Sequence, residues 1–110
     1  MARAATSLVA FLDRELEAEH GLRFVDFDIL DRLATAKERL PLAELSKHVS
    51  LSRSGVRLRV RLLDASGLVA LKAADRRGDS ALVELTEAGA RRHGLASATV
   101  ARVVAAATEG

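Results

Sequence analysis

The chain has 110 residues, 49% of them hydrophobic and 29% charged, with no Cys and a formal net charge of +2. That is the size and composition of one globular domain with a single modest core. It excludes disulfides, thiolate metal sites and thiol redox chemistry. No apolar run approaches the ~20 residues of a membrane span, so the expected address is the cytoplasm, with no membrane partner.

The small net charge hides a segregation. Residues 1–46 carry 6 basic and 9 acidic side chains, and residues 78–110 carry 3 and 4. Residues 47–77 carry 8 basic side chains (Lys47, Arg53, Arg57, Arg59, Arg61, Lys72, Arg76, Arg77) against Asp64 and Asp75, a local +6. A basic middle between acidic flanks fits a face for a polyanion; a solvated charged surface fits the same numbers.

In chain order, Thr6 or Ser7 is placed to cap a first helix in which Leu8, Leu12 and Leu16 recur every four residues, closed by Gly21. That stripe requires burial, in the core or against a second copy. A second helix is expected over 25–36, with Phe27, Leu30 and Leu33 or Ala34 inward. A third opens at Pro41 and runs through Val49, burying Leu42, Leu45 and Val49.

"VRLRVRL", residues 56–62, alternates like a half-buried strand. Its surroundings say helix: Ser52 is an N-cap residue, Gly67 a C′ residue, and fourteen residues lie between them. Val56, Val60 and Leu63 form one helical stripe; Arg53, Arg57 and Arg61 form another. The alternation is the overlap of the two. This helix puts Arg59 on the buried side, where it must snorkel or meet an acid, and turns Leu58 and Leu62 outward.

"LVALKA" and "SALVEL" then read as two strands around "ADRRGD", a hairpin with Asp75, Arg76 and Arg77 at its tip. Thr86 caps a following helix, and the Ala/Val-rich tail carries Leu95, Val100, Val103 and Val104. The expected fold class is mainly α with a small β-hairpin: a winged helix-turn-helix with flanking helices. The expected divisions are an N-terminal dimerisation helix over 1–22, the winged helix-turn-helix over 23–85 and a C-terminal helical segment over 86–110.

The strings "LAELSKHVSLSRSGV", "LLDASGLV", "DRRG" and "LTEAG", with "GLRFVDFDILDRLA" before them, resemble the MarR (multiple-antibiotic-resistance regulator) family of winged-helix transcription factors. The resemblance implies a sequence-specific DNA-binding transcriptional regulator, a repressor by preference, that reads the major groove with helix 52–66 and the minor groove with wing 74–80. Carried over, Ser52, Arg53, Ser54, Arg57 and Arg61 lie on the reading helix. Asp75 and Arg77 match the family's Asp-x-Arg wing motif, with Arg76 beside phosphate. The chemistry agrees, because guanidinium pairs with guanine O6 and N7 and suits a narrow minor groove. Asn and Gln are absent from the chain, so the bidentate adenine contact is missing, and A·T preference is expected to enter through groove shape.

Where the family usually has a basic residue, an apolar one, an acid and a basic residue, this chain has Leu58, Arg59, Arg61 and Leu62. Family members continue through a long fifth helix and a sixth that build a two-fold dimer. The C-terminus here is read as shortened, with the fifth helix short or interrupted at Gly94. A homodimer is then expected to lean on Leu8, Leu12, Leu16, Val100, Val103 and Val104. The family's effectors sit between dimer arm and reading head. An unidentified phenol or carboxylate is therefore an implied ligand, its pocket left incomplete by the short arm.

No cofactor is expected, and His20, His48 and His93 are too isolated to suggest a metal. Without a Cys nucleophile, glycine-rich phosphate loop or paired-His motif, an enzyme is not expected. The alternative is a truncated MarR-like interaction protein that modulates a partner regulator without tight operator binding.

Overall fold

Apolar residues spaced three and four apart turn most of the chain into helices, and two Val/Leu-rich runs are left to pair as strands. The structure is a computed structural model that describes residues 2–49, 51–72 and 81–109, with residues 2–7 described as backbone only. The order is α1 (Ala2–His20), α2 (Phe24–Thr35), β1 (Arg39–Pro41), α3 (Leu42–His48), α4 (Arg53–Ala65), β2 (Val69–Lys72), β3 (Leu82–Leu85) and α5 (Glu87–Glu109).

The core gathers Ile29, Leu30 and Leu33 of α2, Leu45 of α3, Val56 and Val60 of α4 and Val83 of β3, all fully buried, with Leu16 of α1 and Leu22 joining them. All but Leu22, which lies between α1 and α2, sit in a helix or strand, and burying such a side chain stabilises by about 1.5–3 kcal/mol. α5 packs along α1 and α2. The molecule measures 52 × 29 × 21 Å.

Three features depart from the sequence reading. The first helix begins at Ala2, so Thr6 and Ser7 lie inside it and neither caps it. A third strand, β1, pairs antiparallel with β3 and gives the sheet order β1-β3-β2. The chain reaches β1 through Lys37 and Glu38, both left-handed at φ 61° and 74°, without the glycine that usually marks such a turn. Pro41 therefore ends a strand as well as preceding a helix, and the Leu42 amide donates to the Ala81 carbonyl.

Third, α5 runs unbroken through Gly94 to Glu109. A mid-helix Gly costs about 1 kcal/mol relative to Ala, and burial of Ala96, Thr99 and Val103 offsets it. The expected Thr86 cap is present, its Oγ1 accepting from the Gly89 amide at 3.0 Å. Its hydroxyl meanwhile donates to the Gly67 carbonyl, fastening the start of α5 to the end of the α4 turn.

Candidate nucleic-acid interface

α4 is a helix, as its caps require. Ser52 Oγ accepts from the Gly55 amide at 3.1 Å, satisfying one of the donors that a helix N-terminus leaves open. At the other end Gly67 takes φ 80°, and the amides of Gly67 and Leu68 close on the carbonyls of Asp64 and Leu63. The alternation of Val56–Leu62 divides between two faces. Val56, Val60 and Leu63 are buried, and α3 packs beside them.

Arg59 resolves as the periodicity demands: it turns inward and finds an acid. Its Nε and Nη2 donate to Asp26 Oδ1 and Oδ2 at 2.8 and 2.7 Å, a bidentate pair. Asp26 is 2% exposed. It stands in the first turn of α2, where Oδ2 also accepts from the Arg23 amide at 2.9 Å. The hydrogen bonds that Arg59 donates to Asp26, outweighing desolvation, raise the guanidinium pKa above its ordinary value. The pair pins α4 to α2. Asp26 is absent from the sequence-derived site, although Arg59's need for an acidic partner was the signal for it.

The other face points to solvent. Ser52, Arg53, Ser54, Arg57, Leu58, Arg61 and Leu62 are all exposed. Arg53, Ser54, Arg57, Leu58 and Arg61 line an open depression of about 410 Å³. Arg53, Arg57 and Arg61 form no ion pair with any described residue, whereas Arg59 on the same helix does. Ser54 Oγ lies 3.3 Å from Ser52 Oγ. Three uncompensated guanidiniums at i, i+4 and i+8, with hydroxyls at the helix N-terminus, can meet phosphate and base edges together.

β2 follows the C-terminal end of α4 and packs against it, β3 pairs with β2, and Lys72 is the last residue of β2. Asp75, Arg76 and Arg77 lie outside the described residues.

The six interface candidates separate. Leu12, Leu16 and Val103 are 4%, 0% and 3% exposed within one protomer, so they are core and present nothing to a second copy. Leu8 and Val100 are half-buried. Val104 remains exposed, as do Val9, Phe11 and Leu95, which were not among the candidates. The histidines serve locally: His20 Nε2 donates to Thr99 Oγ1 at 2.7 Å, and His93 Nε2 donates to Asp31 at 2.8 Å while stacking on Phe27. His48 sits 3.6 Å from Glu44.

Where α1 meets α2 and α4, a cavity of about 380 Å³ is lined by Val9, Asp13, Arg23, Phe24, Val25, Asp28, Leu51 and Arg59. Its walls come from α1, α2, α4 and the segments that precede α2 and α4. Burial raises the Asp28 carboxyl above its ordinary range, against the opposing pull of Arg32.

Helix-turn-helix, third strand and hairpin strands together define a winged helix-turn-helix protein. Comparisons place it more narrowly. The profile of the IclR helix-turn-helix domain matches residues 27–72, from α2 through β2. A MarR family transcriptional regulator from Streptomyces coelicolor, solved in complex with DNA, superposes with a TM-score of 0.88 at 28% identity, over 96% of this chain and 67% of that one. A MarR family regulator from Rhodococcus sp. RHA1 gives a TM-score of 0.89 at 24% identity, over 99% and 76%. A MarR family protein from Mycobacterium tuberculosis, in complex with salicylic acid, gives 0.75 at 27% identity, over 96% and 77%. No curated protein matches the sequence significantly. The IclR match spans only the helix-turn-helix and its flanks, whereas the MarR likeness extends through the outer helices. The chain has a winged helix-turn-helix fold similar to that of these MarR family proteins, which are transcriptional regulators, not enzymes. No helix among the described residues is long and apolar enough to cross a membrane.

Proposed function

We propose that the chain is a sequence-specific, DNA-binding transcriptional regulator, acting as a repressor in the bacterial cytoplasm on the nucleoid. α4 enters the major groove through Ser52, Arg53, Ser54, Arg57 and Arg61, and the wing, through Asp75, Arg76 and Arg77, reaches the adjacent minor groove. A homodimer presents two such helices one helical turn apart to an inverted repeat. The observation that carries this reading is the division of α4's arginines: Arg59 is locked to Asp26, while Arg53, Arg57 and Arg61 are exposed and unpaired with described residues. A helix whose outward charges are free and whose inward charge is fastened is a rigid platform for a polyanion.

The relative solved with DNA supports the partner, and the one solved with salicylic acid supports a small effector. In this chain an effector's seat is the cavity beside α4. Arg23 stands on its wall without an ion pair to a described residue, suited to a carboxylate. The exposed Val9, Phe11, Leu95 and Val104 offer apolar surface to a second copy.

The test is a mobility-shift titration of genomic fragments against competitor DNA across a salt series, repeated with salicylate. A retained fragment and a steep salt slope are expected. Arg57→Ala should lower affinity about tenfold or more and flatten the slope by about one unit. Absence of any shift at low salt, with a stable heteromeric complex in its place, would instead favour an interaction protein.

A further inference from the structure

The outward face of α4 is not uniformly basic. Val56, Val60 and Leu63 define the buried stripe. At 100° per residue, Leu58 falls almost diametrically opposite the middle of that stripe. It is the most outward-pointing large side chain of the helix, 56% exposed, and it shares one depression with Arg53, Ser54, Arg57 and Arg61. Leu62, 44% exposed, lies further round towards the rim. An apolar side chain beside a row of arginines, more than half exposed, gains little from folding where it stands.

We propose that Leu58 reads thymine, packing its isobutyl group against the C5-methyl on the floor of the major groove. This rests on the DNA-binding reading above and names the specificity of that site. Three observations carry it. The neighbouring guanidiniums supply the charge complementarity that brings the duplex to this face, and each has a fork unpaired with any described residue, open to phosphate or guanine. Leu58 lies beside the row they make, roughly 60° round the helix from Arg61, and points most directly away from the buried stripe.

The chain also contains no Asn or Gln, so the side chains that pair adenine bidentately are missing throughout. A·T pairs are distinguishable in the major groove by adenine's polar edge or by thymine's methyl, and an apolar residue serves the second. The expectation that A·T preference enters through groove shape alone is thereby sharpened: shape acts at the wing, a methyl contact acts under α4. Arginine on guanine and leucine on thymine together make a two-letter reader.

The experiment begins with selection of bound duplexes from a random-sequence pool by the full chain. Each thymine of the selected site is then replaced by deoxyuridine, which removes the methyl group and leaves base pairing intact. At one thymine per half-site, affinity should fall about fourfold, the worth of one buried methyl group. Leu58→Ala should bind the thymine duplex with a similar loss and be indifferent to the replacement. Leu62→Ala, a matched truncation of the other exposed leucine, should keep the wild-type sensitivity.

Selection of a defined site in which no replacement matters would overturn the thymine contact and leave the DNA-binding reading intact. Sensitivity that persists in Leu58→Ala, or vanishes in Leu62→Ala, would overturn it equally. A wild-type chain that selects no sequence at all would sink both readings.

Discussion

The α1–α5 arm and the outer face of α4 are both rich in charge, and they spend it in opposite ways. Along the arm, Arg102 Nη2 reaches Glu19 at 2.7 Å, Thr99 donates to the same carboxylate at 3.1 Å, and Arg92 donates to the His20 carbonyl at 2.8 Å. Along α4, Arg53, Arg57 and Arg61 have no such partners among described residues. Charges satisfied inside a protomer build it and are lost to ligands; charges left open add little to folding and are available for binding. The arm is built to be a scaffold, and the head to meet something else.

The sharpest way to break that contrast is to cut the one inward charge of α4. Asp26→Ala removes the carboxylate that holds Arg59 and leaves a guanidinium, side chain 21% exposed, without its partner. A loss of about 3 kcal/mol is expected, readable as a fall of roughly 15 °C in Tm. The double variant Asp26→Leu/Arg59→Met should recover most of it, because a well-packed apolar pair replaces a buried ion pair at little net cost. If the double variant regains Tm but binds DNA as tightly as wild type, the pair serves stability alone. Weaker binding at restored Tm identifies it as the device that sets the angle of α4.

Arm and head meet at Gly89, and a substitution there probes the joint. A Cβ at Gly89 would lie 2.0 Å from the Leu68 carbonyl oxygen, a backbone atom that cannot rotate away. Gly89→Ala should therefore destabilise by about 1–3 kcal/mol. Gly94→Ala, five residues along the same helix and with open space around it, should stabilise by up to about 1 kcal/mol. Urea denaturation of both variants checks the pair of opposite signs. Equal effects would mean that α5 does not lean on Leu68 in solution.

What could be read before folding follows the same division. Helix stripes, the Ser52 and Thr86 caps, and the positive-φ Gly21 and Gly67 are local, because their physics is completed within a few residues. The outward turn of Leu58 and Leu62 was legible for that reason. β1 was not: three residues, "RLP", acquire strand geometry only by pairing with β3 more than forty positions away. The core placement of Leu12, Leu16 and Val103 was equally hidden, since a stripe announces that it needs burial and not which surface supplies it. Gly94 misled for the complementary reason. Its local penalty is real, yet contacts with α1 and α2 outweigh it. Asp26 stood in a helix of acids, and only Arg59 across the core singles it out.

The smallest effect belongs to the arm itself and depends on pH. The Thr99 hydroxyl, then Arg102, hold the Glu19 carboxyl below its ordinary value, with His20 adding a weaker pull. Thr99 is 5% exposed and has one hydroxyl proton, which goes to Glu19, so it accepts the His20 Nε2 proton in return. A carboxyl whose folded pKa lies below its unfolded one stabilises the fold above the unfolded value, near pH 4.3. That contribution fades as pH falls through the lower, folded value. Glu19→Gln should therefore be modestly less stable than wild type at neutral pH, and the gap should close as the solution is acidified below about pH 4. Thermal melts of both chains from pH 7 downward test this. A gap that stays constant with pH would assign Glu19 a packing role and leave the arm's charges as idle as those of the head in the free protein.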